Sequence, residues 1–133
     1  MKRIPREEGG RWLRQARQDL DDARYARDGG RYHLTCFLAQ QSAEKALKAY
    51  LYSQGHVLVL GHSVARLCQD AAELDAEFAD LKRKAAPLDK YYIPTRYPNG
   101  LPDGIPADAF DAVDASRALE LVVLVIEFVE ARL

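Results

Sequence analysis

Apolar residues recur at steps of three and four along most of the chain, which predicts helices rather than strands. One amphipathic helix is predicted from about Glu8 to Arg27. The Gly29-Gly30 pair predicts its end, because glycine adopts the left-handed backbone at a helix C-terminus without steric cost. A second helix is predicted from about Arg31 to Ser53. Since only a couple of residues join the two helices, we expect them to lie side by side and antiparallel.

The middle of the chain predicts a short connection and two further helices. Val57–Leu60 has strand propensity but no evident partner strand, so we interpret it as an extended connection. Ser63 is a suitable N-cap for a third helix. A fourth helical pattern runs from Phe78 to Tyr92, and Pro87 predicts a kink or restart within it, since proline removes a hydrogen bond.

The last third of the chain predicts a long loop followed by a helix. Residues 93–106 contain four of the six prolines, which indicates a loop with a role beyond connection. Helical pattern returns from about Ala107 to Arg132. The stretch 118–126 is apolar on nearly all sides, which is typical of a central helix or a subunit interface. We expect a homodimer on this basis, with the following interface residues: Leu119, Val122, Val123, Val125 and Ile126.

Composition fits one globular domain over residues 1–133, an all-α, up-and-down bundle of about five helices. With 48% hydrophobic and 29% charged residues, global disorder is excluded. The formal charge of −1 disfavours a general nucleic-acid-coating protein, although residues 1–33 hold nine basic against six acidic side chains.

Cellular context is indicated by the cysteines and by the longest apolar run. Cys36 and Cys68 lack the spacing of a disulfide framework or a zinc site, so we expect two free thiols near the core. The N-terminus runs directly into charged residues, and the longest apolar run, Leu121–Ile126, is six residues. A bilayer span needs about 20 residues, so we expect a cytoplasmic protein with no membrane contact. No metal or cofactor is expected.

Two polar stretches are candidates for anion binding. On the second helix, Gln40, Gln41, Glu44, Lys45 and Lys48 share about one side. They form either a solvated polar face with a salt bridge or a polar floor whose lysines face an anionic ligand. Gly61-His62-Ser63 precedes the third helix, where free N–H groups attract anions, although histidine at that position is also a common capping residue.

The third candidate is Lys90–Pro98, which combines three tyrosines with a lysine and an arginine. Tyrosine rings stack on bases and arginine binds phosphate through two parallel hydrogen bonds. The alternative is a proline-bracketed loop held by buried tyrosines, with Arg96 paired to Glu44.

These stretches resemble the HEPN family (higher eukaryotes and prokaryotes nucleotide-binding domain) in its small stand-alone form. The resemblance covers nearly the whole chain, and its most specific motifs are Phe37–Lys48 and Leu88–Pro98. Trp12–Leu20 and Gly61-His62-Ser63 are similar to two further motifs of the family. The resemblance implies a helical bundle, often dimeric, that is commonly encoded beside a minimal nucleotidyltransferase in toxin–antitoxin-like pairs. It also implies a nucleotide or anion site where the second helix meets the Lys90–Pro98 loop, with these predicted residues: Gln41, Glu44, Lys45, Lys48, His62, Tyr92, Arg96 and Tyr97.

One departure from the family bears on catalysis. HEPN ribonucleases carry an Arg-x(4–6)-His motif at the start of a late helix, and no histidine follows His62 here. Arg27 and His33 have the spacing but straddle the predicted Gly29-Gly30 turn, so we interpret that match as a coincidence. The resemblance and this departure from it together imply a non-catalytic module that binds a nucleotide-like anion, with a nucleotide or RNA as the expected ligand, and that pairs with a minimal nucleotidyltransferase. A metal-independent endoribonuclease toxin and a purely structural adaptor are the alternatives.

Overall fold

The structure is a computed structural model and describes residues 4–133. Residues 1–3, the first part of the charged N-terminal stretch, lie outside the described range. Within residues 4–133 the chain is helical and contains no strand, so the predicted all-α class is confirmed. The helices are α1 (Pro5–Asp28), α2 (Tyr32–Ser53), α3 (Val64–Ala72), α4 (Phe78–Ala85), α5 (Pro106–Ala109) and α6 (Ala112–Glu130).

The first two helices form the antiparallel pair that the short connection predicts. Gly30 takes a positive φ of 73°, and the N–H of Arg31 donates to the carbonyl of Ala26 over 2.8 Å, which closes α1. At the other end of the pair, a Cβ on Gly9 would lie 2.7 Å from the Cβ of Ser53. The absence of a side chain at residue 9 therefore allows α1 to approach α2 closely.

Helix α2 lies at the centre of the bundle and packs against α1, α3 and α6. Its buried residues are distributed around the helix, as expected for an element covered on several sides. Burial of each large apolar side chain contributes about 1.5–3 kcal/mol. The largest fully buried apolar side chains of the core are Leu47, Leu51, Val64, Leu67, Phe78, Leu81, Leu88, Val122, Val125 and Val129.

The segment after α4 follows the expectation from Pro87. The α-helix ends at Ala85 and the chain continues as a 3₁₀-helix over Ala86–Tyr91. The proline-rich loop then contains one short 3₁₀ turn, Pro98–Gly100. The side-chain hydroxyl of Thr95 donates to the carbonyl of Tyr91, and this hydrogen bond holds the start of the loop against the end of the 3₁₀-helix.

The predicted single helix over residues 107–132 is wrong in one respect. The chain forms the single turn α5, breaks at Phe110 and Asp111, and restarts as α6. The Asp111 side chain accepts a hydrogen bond from the N–H of Asp114 over 2.9 Å, and Asp114 accepts one from the N–H of Asp111 over 3.0 Å. This reciprocal capping box sets the start of α6.

The last helix does not require a dimer, contrary to the expectation from its apolar run. Leu119, Val122, Val125 and Ile126 are buried within one chain, and Val123 is half-buried. Helix α6 packs against α1, α2 and α4, so its wide apolar surface is covered by the bundle itself. A second copy of the chain is not needed to bury these residues.

Residues 57–60 form an extended connection without a strand partner in the described chain, as predicted. Val59 points inward, and its N–H donates to the hydroxyl of Tyr52 over 3.1 Å. Its neighbours are exposed: Val57 by 92%, Leu58 by 70% and Leu60 by 74%. The connection therefore carries the most exposed large aliphatic side chains apart from Val113.

Two further expectations concern the thiols and the membrane. Cys36 and Cys68 are free and buried, and burial raises the pKa of each thiol to about 12. Among residues 4–133, none of the helices combines the length and the apolar character that a bilayer crossing requires.

Candidate functional site

The carboxylate of Glu44 is the centre of a buried polar cluster on α2. It is 4% exposed and accepts a hydrogen bond from Lys48 Nζ over 3.1 Å. The amides of Gln40 and Gln41 approach it at 3.4 and 3.5 Å. The Nδ1 atom of His62 lies 3.3 Å from Glu44 Oε1. A buried carboxylate needs such donors, because an unpaired charge in the interior is costly.

The ammonium group of Lys48 joins this cluster to an aromatic pair. Lys48 Nζ lies 5.8 Å from the centre of the Trp12 ring, which is a cation–π distance. The Trp12 ring stacks on Tyr52 with centroids 5.1 Å apart. Lys48 is therefore held between a carboxylate on its own helix and an indole on α1.

Lys45 points toward α1 and forms a second ion pair. Its Nζ atom lies 2.6 Å from Asp19 Oδ2, and Asp19 is 5% exposed. Gln15 donates to the other oxygen of Asp19 over 2.9 Å. Lys45, Gln15, Trp12 and Arg11 line an open groove of about 510 Å³ between α1 and α2.

The His62 ring, which contacts Glu44, also stacks on the ring of Tyr92. Their ring centroids are 4.8 Å apart and the planes differ by 16°. Glu44 and Tyr92 therefore fix the orientation of a histidine whose side chain is 58% exposed. A carboxylate that contacts one ring nitrogen orients the imidazole ring.

Arg96 extends the stack into the proline-rich loop. Its guanidinium carbon lies 4.5 Å from the ring centre of Phe37, 4.6 Å from that of Tyr92 and 5.1 Å from that of Tyr97. Its Nε donates to the carbonyl of Tyr92 over 2.9 Å. In residues 4–133 it has no carboxylate within ion-pair distance, so the predicted alternative pairing with Glu44 is not formed.

The N-terminus of α3 is not the open anion site that the Gly61-His62-Ser63 motif suggested. Ser63 is the N-cap, as predicted, and its hydroxyl accepts from the N–H of Arg66 over 3.1 Å. However, Asp89 fills the position of an anion: its carboxylate accepts from the N–H groups of Val64 and Ala65 over 2.6 and 3.2 Å. The chain itself therefore satisfies this helix terminus.

The eight predicted site residues fall into two groups. Glu44 contacts His62, which stacks on Tyr92, and Arg96 lies against Tyr92 and Tyr97, so these five residues form a continuous chain of contacts. In the second group, Lys48 and Gln41 contact Glu44 from within α2, and Lys45 pairs with Asp19 on α1. A phosphate facing two unpaired lysines is therefore not what the structure shows.

Three contributing residues were absent from the predicted site. Asp19 lies three residues after Ala16 and four before Ala23, so its place on the buried stripe of α1 was visible in the spacing. Gln40 is fully buried and donates to the carbonyl of His62 over 2.7 Å. Trp12 was also missed, because nothing in the sequence indicates that Lys48 contacts its ring.

The most accessible chemistry lies at Arg96 and its neighbours, which we call the Arg96 cluster: His62, Tyr92, Arg96 and Tyr97. The cluster combines a guanidinium group with exposed aromatic surface, since Tyr97 is 51% exposed. Such a combination suits a planar ligand with an anionic group. Among the described residues, no group of three or more histidine, cysteine, aspartate or glutamate side chains is placed to hold a metal ion.

Comparisons with known proteins agree with this architecture. A comparison with curated proteins found no match. The chain is similar to the crystal structure of TT1696 from Thermus thermophilus, with a TM-score of 0.89 and 41% identity over 95% of this chain and 98% of the other. It is also similar to ST0689, an archaeal HEPN homologue (TM-score 0.77, 38% identity, 99% and 98% covered). A HEPN domain protein (tm0613) from Thermotoga maritima matches with a TM-score of 0.70 at 25% identity, covering 91% and 95%. The HEPN domain family model matches residues 10–132, and with this match over most of its length the chain belongs to the HEPN domain family.

Proposed function

We propose that this HEPN domain is a non-catalytic module that binds a nucleotide-like anion at the Arg96 cluster. In the same proposal it forms a homodimer and works with a minimal nucleotidyltransferase in a toxin–antitoxin-like pair. The anion-binding part is supported by the geometry of the cluster. The two partner interactions are supported by the family resemblance.

The observation that carries the binding proposal is the environment of the Arg96 guanidinium. It is exposed, it lies against three aromatic rings, and no carboxylate in the described chain pairs with it. Most other cations near the polar cluster are already paired, as Lys45 is with Asp19 and Lys48 with Glu44. Arg96 is therefore an exposed cation of this surface whose charge has no carboxylate partner in the described chain and can be met by an external anion.

A ligand would use two features of the cluster. A phosphate group would accept charge-assisted hydrogen bonds from the Nη atoms of Arg96, because its Nε is occupied by the carbonyl of Tyr92. A base would stack on an exposed ring, either Tyr97 or the outer part of His62, since Tyr92 lies between His62 and Arg96. Each base–aromatic stack contributes about 1–3 kcal/mol in single-strand binders.

The test is a calorimetric titration of ATP, GTP and a short RNA into the wild-type protein and the Arg96→Ala variant. A charge-assisted hydrogen bond contributes about 1.5–3 kcal/mol, so we expect Arg96→Ala to weaken binding by roughly tenfold or more. Arg66→Ala is the matched control, because Arg66 is an exposed arginine that pairs with Asp70 on α3. Equal affinity of all three proteins, or no binding by any, would contradict the proposal.

The endoribonuclease alternative is favoured by one observation, the contact of Glu44 with an exposed His62. A carboxylate-oriented imidazole is a common general acid–base arrangement. Against it, the sequence lacks the late Arg-x-His motif, and Arg27 and His33 lie on separate helices on either side of the Gly29-Gly30 turn. We therefore expect no cleavage of labelled RNA in the presence of EDTA. Metal-free cleavage that is lost in His62→Ala would establish the enzyme.

Because the apolar surface of α6 is covered within one chain, we propose the exposed connection as the surface through which a homodimer would form. Val57, Leu58 and Leu60 place adjacent apolar side chains in solvent, which is unusual for a monomer surface. Light scattering of the wild type and a Leu58→Lys variant tests this surface. A dimer that becomes monomeric in the variant supports it, and a wild-type monomer at micromolar concentration contradicts the homodimer.

The nucleotidyltransferase partner is tested in the genome and then in solution. A reading frame with a nucleotidyltransferase motif beside this one, whose product co-purifies with the chain, would support the pair. If the neighbouring reading frame lacks such a motif, the proposal reduces to a module that acts by anion binding alone. If the protein binds neither an anion nor a nucleotidyltransferase, it is the structural adaptor.

A further inference from the structure

The groove between α1 and α2 is separate from the Arg96 cluster and has the size of a small-molecule site. Its volume is about 510 Å³, within the range of about 300–1,000 Å³ that ligand pockets occupy. It is lined by an indole, two cationic side chains and one amide, contributed by Trp12, Arg11, Lys45 and Gln15. None of these four residues contacts the rings of the Arg96 cluster.

The residues around this groove are charged to an extent that packing alone does not explain. The pairs Lys45–Asp19 and Lys48–Glu44 place four charged side chains at or near the α1–α2 contact, where the Glu44, Lys48 and Asp19 side chains are each less than a tenth exposed. Buried ion pairs contribute little net stability compared with well-packed apolar residues of the same volume. A polar constellation of this kind beside a groove is typical of a binding site.

The side chains that line the groove indicate which class of ligand it can bind. Trp12 is partly exposed in the groove and provides a flat apolar surface for a planar ring. Lys45 Nζ donates to Asp19 and, as an ammonium group, retains further N–H donors; its side chain is 24% exposed. Arg11 places a second cation at the rim. Its Nε and Nη2 donate to the two carboxylate oxygens of Glu8 over 2.7 and 3.2 Å, so its Nη1 donors are the ones that a ligand would use. A planar ring and an acidic group can therefore be bound together.

We propose that the α1–α2 groove binds a planar aromatic ligand with an acidic substituent, with the ring on Trp12 and the acidic group at Lys45 and Arg11. The acidic group is a phosphate or a carboxylate, since both accept from ammonium and guanidinium donors. The proposal does not depend on ligand binding at the Arg96 cluster, because the two surfaces share no residue.

Trp12 makes this proposal directly measurable, since it is the one tryptophan of the chain. Its fluorescence therefore reports on the groove without interference from another indole. The experiment titrates AMP and nicotinate, each beside its uncharged counterpart, adenosine and nicotinamide, with excitation at the red edge of indole absorption. We expect at least one of the two acids to change the Trp12 emission saturably, with an affinity at least tenfold higher than that of its uncharged counterpart.

Variants separate this site from its surroundings. Arg11→Met should weaken the binding of whichever acid produces the Trp12 response severalfold. Arg14→Met should leave that affinity unchanged, because Arg14 is an exposed arginine of α1 outside the groove lining. Arg96→Ala should also leave the Trp12 response unchanged, even if it abolishes calorimetric binding elsewhere. A response to AMP alone assigns the groove to nucleotides, and a response to nicotinate alone assigns it to aromatic carboxylates.

Three results would overturn the proposal. The first is the absence of any saturable Trp12 response to both acids. The second is an equal response to the acids and their uncharged counterparts, which would remove the role of the cations. The third is a response that disappears in Arg96→Ala while persisting in Arg11→Met, because the signal would then originate at the Arg96 cluster.

Discussion

Replacing Glu44 by methionine should destabilise the protein far more than its i,i+4 position on a helix suggests. The side chains of Glu44 and Lys48 are 6% and 8% exposed, and their charged atoms are 3.1 Å apart. Among the described residues, Glu44 is the one carboxylate within ion-pair distance of Lys48. Glu44→Met therefore leaves a buried ammonium group without a counter-charge. Removal of one partner of a buried pair costs about 3–5 kcal/mol, a large part of the 5–15 kcal/mol that stabilises a typical domain.

The structure also predicts that the two partners are unequal. Lys48→Met leaves Glu44 with contacts from Gln40, Gln41 and His62, so its carboxylate retains donors. We expect a cost of about 1–3 kcal/mol for Lys48→Met, and a double variant less destabilised than the sum of the single variants. The double variant removes both charges and keeps apolar volume at each position.

Urea denaturation followed by circular dichroism measures these differences, provided that the slopes of the transitions are unchanged. With a slope of about 1.5 kcal/mol per molar urea, Glu44→Met should lower the midpoint by roughly 2–3 M. The matched control is Arg66→Met, which breaks the exposed i,i+4 pair with Asp70 and should cost less than about 1 kcal/mol. The reasoning is refuted if Glu44→Met costs no more than Arg66→Met, or if the single variants are additive.

Three other predictions concern stability and reactivity. Gly9→Ala should destabilise by about 1–3 kcal/mol in thermal unfolding, because its Cβ would lie 2.7 Å from a side-chain carbon of α2, whereas Gly10→Ala, with nothing within 4 Å, should stabilise by roughly 0.5–1 kcal/mol. The thiols of Cys36 and Cys68, whose pKa burial raises to about 12, should react with a thiol reagent at pH 8 only after urea is added; prompt reaction of the folded protein would contradict their burial. At α6, the N–H groups near its start lower the pKa of Asp111, so its contribution to stability is present above the unfolded pKa of about 3.9 and is lost as pH falls through the lower folded pKa. Asp111→Ala should therefore lower the melting temperature at pH 7 and have little effect near pH 2, and an equal effect at both values would contradict the cap.

The helical architecture could be predicted because local signals determine it. Paired glycines end α1, a serine caps α3, and Pro87 marks the change from α4 to a 3₁₀-helix. The break before α6 was missed although its signal is also local. Asp111 and Asp114 have the spacing of a capping box, but the apolar run that follows obscured the start of the helix.

The candidate site could be predicted only in part because its contacts are long-range. Lys45 meets Asp19 across 26 residues, and Asp89 reaches the start of α3 from 24 and 25 residues away. Charge and spacing identify residues able to bind an anion, but they do not reveal which of them the chain has already paired. That is why Lys45 and Lys48 each have a carboxylate partner in the chain, whereas Arg96 has none among the described residues.

Side-chain resonances of the Arg96 cluster provide the most direct test of the proposed function. In an NMR titration with ATP, the account predicts saturable shifts of the Arg96 Nε–Hε signal and the His62 ring signals. Adenosine should produce much smaller shifts of Arg96, because it lacks the phosphate groups that accept from the guanidinium. Arg66 provides the internal reference, since its Nε donates to Asp70 and not to a residue of the cluster. If the Arg96 and His62 signals do not move at ATP concentrations that shift other residues, the Arg96 cluster is not the nucleotide site and the central proposal is wrong.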